Sequence, residues 1–173
     1  MEDSLMTVIG FFIAAILMFI VPLMSVSERN DDITQLAVQT TTSEFVEDVA
    51  STGVISQSDY DAYIQKLAAT GNTYDIEMEV RKLDENFGKK TVAGSGDLIG
   101  ENSYYSIFTS SIEKDMEADG KYELSKGDIV TVSAKNTNLT IAQLLRNFFY
   151  KVSGNDNYQV AASYTSVVVN NGK

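Results

Sequence analysis

Residues 5–24, LMTVIGFFIAAILMFIVPLM, decide how the rest of the chain is read. The stretch holds no charged residue. At about 1.5 Å of rise per residue its length gives a helix of about 30 Å, the hydrocarbon thickness of a bilayer. Pro22 lies near its far end, where the missing backbone N–H is expected to bend or loosen the helix. From Ser27 onward the composition turns polar and acidic, so the stretch divides an anchor from a soluble body.

The chain has 173 residues and a formal net charge of −11. About 145 residues remain beyond the anchor, enough for one domain with its own core. So acidic a surface argues against a nucleic-acid partner and against electrostatic attraction to anionic lipid, both of which need Lys and Arg on the contacting face. Cys, His and Trp are all absent, which excludes disulfides, Cys/His zinc sites, His-based triads and thiol nucleophiles. The anchor does not follow the pattern of a secretory signal. Its flank, Met1, Glu2, Asp3 and Ser4, is acidic rather than basic, and its apolar core runs past the usual length.

Helical spacing continues beyond Met24. Val26, Ile33, Leu36, Ala37, Thr40, Phe45 and Val49 recur at steps near three and four, with Glu28, Asp31, Gln35, Gln39, Glu47 and Asp48 between them. No Gly falls between Gly10 and Gly53, and Pro22 is the one proline. A single helix is expected from about Asp3 to about Ser51, on the order of 70 Å long and stopped by Thr52 and Gly53. Two regions follow from this: 1–52, an assembly or transmembrane helix, and 53–173, a soluble α+β head.

In the head, Ser56 and Asp59 form a cap-like start to a short helix carrying Tyr60, Tyr63, Ile64 and Leu67 on one face and ending before Gly71. Tyr74, Ile76, Met78 and Val80 then alternate with Asp75, Glu77, Glu79 and Arg81, the pattern of a strand with one wet face. Residues 84–90 and 94–100 carry loop composition. Residues 104–108 suit a strand or a helix start; Ile112, Asp115, Met116 and Asp119 suit a helix ended by Gly120. Residues 122–124 and 129–134 read as strands around a turn at Lys126 and Gly127. Asn138 is the expected cap of a helix over 140–151 that buries Ile141, Leu144, Leu145, Phe148 and Phe149. A turn at 154–157 and a final strand over 158–169 complete the chain. The fold class is α+β, a long N-terminal helix packed on a small antiparallel sheet domain with short additional helices.

Several clusters are weighed as sites and set aside. The acidic groups Glu2/Asp3, Asp31/Asp32, Asp59/Asp61, Asp84 to Asn86 and Asn155 to Asn157 lack the spacing that closes a loop around calcium and read as solvated surface. Gly94, Ser95 and Gly96 lack the Lys-Ser/Thr of a phosphate loop, and Asp97 would repel phosphate. Asn138, Leu139 and Thr140 form a glycosylation sequon in which the same Asn doubles as a helix cap. No cofactor and no metal is expected, and no nucleophile and base constellation can be named.

An apolar helix that becomes amphipathic and leads into a small antiparallel head resembles the type IV pilin superfamily. Pro22 lies at about the distance from the start where many pilins carry a helix-disrupting proline, and residues 71–76 together with Gly154 and Asn155 resemble pilin-like proteins of Gram-positive anaerobes. The resemblance implies a chain whose basic leader has been removed before Met1 by a prepilin peptidase. It also implies a membrane-anchored precursor that the pilus assembly machinery moves into an extracellular cell-surface filament. Pilins carry Glu at the fifth position to pair with a neighbour's terminal amine. Here that position is Leu5, and Glu2 and Asp3 are the candidates for N-terminal charge pairing.

The expected function is therefore structural: a homo-oligomeric filament subunit with no enzymatic activity and no nucleic-acid partner. Its core would be built by Gly10, Phe11, Phe12, Ile13, Ala14, Ala15, Ile16, Leu17, Phe19, Ile20 and Pro22, with Gly10, Ala14 and Ala15 allowing close approach of helices. The rival expectation is a single-span membrane protein whose outer domain binds a partner without polymerising.

Overall fold

The computed structural model describes the backbone of residues 2–83, 104–150 and 161–172, and side-chain surroundings for 4–83, 104–147 and 161–172. The loops expected over 84–90 and 94–100, the turn over 154–157, residues 158–160 and the side chains of Glu2, Asp3, Phe148 and Phe149 lie outside these.

Helix α1 (Glu2–Thr52) runs 51 residues without a break and continues through Pro22. Pro22 supplies no N–H to the carbonyl of Met18, one turn earlier. The helix ends where expected: Gly53 takes a left-handed φ of +75° and donates its N–H to the carbonyl of Val49 at 2.8 Å, a helix stop that favours glycine.

The C-terminal half of α1 lies against a four-stranded antiparallel sheet of order β3-β2-β5-β6. Its strands are β2 (Tyr74–Leu83), β3 (Tyr104–Phe108), β5 (Ile129–Asn136) and β6 (Ala161–Val167). The two-residue period of β2 and β5 sets the faces. Met78, Val80, Val130, Val132 and Ala134 are buried with Val38, Phe45, Val46 and Val49 of α1. The opposite face is polar. Glu79, Thr131 and Thr165 stand in one cross-strand row and Glu77, Ser133 and Ser163 in the next, with hydroxyl pairs Thr131–Thr165 at 2.9 Å and Ser133–Ser163 at 2.8 Å. Burial of each large core side chain contributes about 1.5–3 kcal/mol, so this layer is the main source of stability.

Beyond the end of α1 a two-stranded sheet pairs β1 (Val54–Ser56) with β4 (Lys121–Glu123). Helix α2 (Gln57–Ala68) starts on the expected cap, Ser56, whose hydroxyl accepts from the Asp59 N–H at 3.1 Å. It buries Tyr60, Tyr63 and Leu67. Ile64, expected on that face, is exposed. The ring of Tyr63 stacks on Phe45 with centroids 4.5 Å apart. Thr42 donates to the Val38 carbonyl at 2.7 Å, so in the 3.0 Å Tyr63–Thr42 contact the phenol is the donor. Helix α3 (Thr109–Asp119) turns directly out of β3, its Thr109 hydroxyl accepting from the Met78 N–H at 2.7 Å. It buries Ile112 and Met116 and ends at Gly120, as expected.

Helix α4 (Ile141–Tyr150) differs from the expectation in both cap and face. Its cap is Thr140, not Asn138. The Thr140 hydroxyl accepts from the Gln143 N–H at 3.2 Å while the Gln143 side chain accepts from the Thr140 N–H at 3.0 Å, a reciprocal capping box. Asn138 instead receives the Thr73 N–H at 2.8 Å and donates to Asn72 at 2.9 Å, tying the entry of β2. Among the described side chains of α4 the buried ones are Ala142 and Gln143; of the expected core residues, Ile141 and Leu144 are exposed and Leu145 is half-buried.

Candidate membrane and assembly surface

Apart from the Met18 carbonyl opposite Pro22, helical hydrogen bonding pairs the backbone of residues 6–26 within α1, so this segment presents mainly side chains to its surroundings. The apolar segment is long enough to cross a membrane, and none of its most apolar window is buried within the molecule. Phe11, Met18 and Phe19 are each at least three-quarters exposed. Beyond the backbone of its own helical turns, nothing lies within 4 Å of where a Cβ on Gly10 would stand. Phe12, Ile13, Ala14, Ile16, Leu17 and Pro22 are likewise exposed, and Ala15 and Ile20 are partly covered. The residues expected in a helix core thus lie all round this stretch of α1 and are mostly exposed. Glu2 lies at the start of α1, with Asp3 next to it.

The face of α1 that docks on the head is not the one that apolar spacing suggested. The buried positions are Ser27, Asp31, Thr34, Val38, Thr42, Phe45, Val46, Val49 and Ala50. Phe45 and Val49 meet the expectation, whereas Val26, Ile33 and Leu36 point to solvent. The reason is local chemistry: in its first turns beyond the apolar segment, α1 is held by polar partners. The Thr140 hydroxyl donates to Asp31 Oδ2 at 2.7 Å, and Arg146 pairs with Glu28 at 3.0 Å. Farther along, the Gln35 amide bonds both backbone groups of Ala161, donating to its carbonyl at 2.5 Å and accepting its N–H at 3.0 Å. Tyr164 donates to Glu47 at 2.9 Å, a bond that holds its phenol above the ordinary range.

What remains outward forms a pattern that the sequence carries but apolar counting misses. Leu5, Phe12, Phe19, Val26 and Ile33 are spaced by seven and are between 60 and 76 % exposed. Three residues after each stand Val8, Ala15, Pro22, Arg29 and Leu36. Alternating steps of seven with an intermediate residue at the fourth place describe the seam of a helix that packs against another helix. On a straight helix this line drifts by about 20° per heptad, so a partner following it would wind left-handedly. The signal is present as the strict heptad, and it is obscured because two of the five residues in the second row are Pro22 and Arg29.

Among the described residues no group of three or more His, Cys, Asp or Glu comes together to hold a metal ion. Tyr60 is raised above its ordinary value by burial and by donating to Glu113 at 3.0 Å, and Tyr122 is pushed up to about 12 by burial. Both sit in the core and serve packing. Comparison with family models, with curated proteins and with solved structures finds no match to this chain.

Proposed function

We propose that the chain is a pilin-like subunit of an extracellular filament, held in the membrane by α1 before assembly and packed α1 against α1 afterwards. One observation carries the proposal: the exposed seam does not stop where a bilayer would. Ile33 and Leu36 lie beyond Met24 by about 14 and 18 Å along the helix. The headgroup layer on one side of a bilayer is only about 5–7 Å deep. Lipid can cover Phe12 and Phe19 but not Ile33 and Leu36, whereas a second copy of α1 can cover all four.

In this reading Gly10, Ala14 and Ala15 let neighbouring helices approach. Pro22 marks a point where the backbone ladder is already one bond short, and the acidic heads coat the exterior. Leader removal by a prepilin peptidase and handling by an assembly machinery belong to the same proposal. If about ten apolar side chains per subunit become enclosed at about 1.5–3 kcal/mol each, association offsets extraction from lipid.

The test separates the seam from the span. Ile33→Glu combined with Leu36→Glu leaves residues 5–24 intact, so the variant still inserts into membranes but forms no filament in negative stain of surface material. Wild-type material that stays a detergent-soluble monomer, or a double variant that polymerises normally, overturns the proposal in favour of a non-polymerising anchor.

A further inference from the structure

We infer that α4 is an interfacial helix, seated in the headgroup layer of the bilayer that α1 crosses. The inference rests on the reading of α1 as a membrane span and goes beyond it, because it gives the head a second membrane contact. Two bonds fix the height and direction of α4. Thr140, at its start, meets Asp31, about 10 Å beyond Met24 along α1, and Arg146, later in the helix, meets Glu28, about 6 Å beyond it, so α4 descends from above the headgroup layer into it, toward the apolar end of α1. Its first turn shares a groove with Leu23 and Val26, the residues that flank the end of the uncharged stretch. Any side chain facing outward beside them stands at the edge of the hydrocarbon.

Leu139 and Ile141, exposed by 58 and 61 %, line that groove, and Leu144, exposed by 53 %, stands one turn further along α4 toward Arg146. Ile141 and Leu144 lie three apart and therefore on one face, while Ala142 and Gln143 fill the inward side. A helix that turns Ala142 and Gln143 inward and holds Ile141 and Leu144 outward exposes large apolar side chains that suit an apolar boundary layer better than water. The surface is continuous with the apolar side chains of α1. The occupant is lipid recognised by apolar burial rather than by charge: the chain is strongly acidic, and Arg146 is engaged with Glu28.

The absence of Trp from the chain makes single-Trp variants clean reporters. The full-length variants Phe19→Trp, Leu144→Trp and Ile64→Trp would be reconstituted in phosphatidylcholine vesicles with and without brominated acyl chains. Ile64 is exposed on α2, whose Lys66 pairs with Glu44. That residue is about 30 Å beyond Met24, so Ile64→Trp reports the head away from lipid. Brominated lipid is expected to quench Phe19→Trp strongly and Leu144→Trp clearly, and to leave Ile64→Trp unchanged. If Phe19→Trp is quenched and Leu144→Trp behaves as Ile64→Trp, α4 is not interfacial although the anchor stands. If Phe19→Trp is itself unquenched, the anchor and the interfacial helix fall together. A blue shift of Leu144→Trp that grows with the protein-to-lipid ratio but is insensitive to bromine overturns the inference in favour of a second copy.

Discussion

Gly53 and Gly172 meet backbone against backbone. A Cβ on Gly172 would stand 2.1 Å from the Gly53 carbonyl oxygen, and one on Gly53 would stand 2.3 Å from that of Asn170. Around this contact the last described residues are laced to the end of α1. Val169 donates to the Ala50 carbonyl at 2.9 Å, Leu124 to that of Gly53 at 2.8 Å and Gly172 to that of Leu124 at 2.9 Å. Gly53→Ala combines left-handed strain with a clash against backbone and is expected to lower the unfolding free energy by about 3 kcal/mol or more. Gly120→Ala, at φ +72° with open space around it, is expected to lose only about 1–2 kcal/mol. Urea titrations of the two variants check the difference.

The buried pair Thr140 and Asp31 yields a second expectation. Thr140→Val removes the cap of α4 and leaves the Asp31 carboxylate, 5 % exposed, without that donor, a combined loss of about 2–4 kcal/mol. Because α4 lies on α1 rather than within the sheet, the loss is expected as local opening. Amide exchange over 141–147 quickens while the strands stay protected. Adding Asp31→Ala to Thr140→Val should recover part of the loss, a coupling that a double-mutant cycle measures.

Alkaline pH supplies a third. The phenols of Tyr60, Tyr63 and Tyr122 all lie above their ordinary value of 10.0 through burial. A raised phenol favours the protonated form in the fold, so its contribution is complete below the unfolded value and is lost as pH rises past it. Stability on this account holds up to about pH 10 and then falls, with phenolate absorbance from the buried rings appearing together with unfolding. Tyr60→Phe, which loses the bond to Glu113, should cost about 1 kcal/mol at neutral pH and flatten the alkaline fall.

Asn138 gives a fourth. Its side chain both accepts from Thr73 and donates to Asn72. Asn138→Asp keeps the acceptor but sets a carboxylate against the Asn72 oxygen, and should lower stability by about 1–2 kcal/mol. Thermal melts at neutral pH read this directly.

Much of the backbone plan could be read from residues alone, because it rests on signals that act locally. Gly53 and Gly120 stop helices by conformation, Ser56 caps α2, and the alternation from Tyr74 to Arg81 requires a strand. Facing is less accessible, since it depends on what lies opposite. Val26, Ile33 and Leu36 look like core in isolation, yet the head meets α1 there with a hydroxyl and a guanidinium and so buries Ser27 and Asp31. The same holds in α4, where the inward side is taken by Ala142 and by Gln143, whose side chain is held by the Thr140 cap, and Ile141 and Leu144 turn outward. Thr140 and Gln143 did carry the capping-box spacing, and the nearby Asn138 competed with it.

Gln35 has a consequence for crowding. An edge strand with free amides and carbonyls is a template on which another chain can grow a sheet. On β6 the outward pair at Ala161 is already taken by one side-chain amide that imitates a peptide group. The helix thus plugs one position, the start of β6, at the margin of its own sheet. A second head brought against this margin would find the backbone pair of Ala161 already spent, so adding a strand there gains no hydrogen bond at that position.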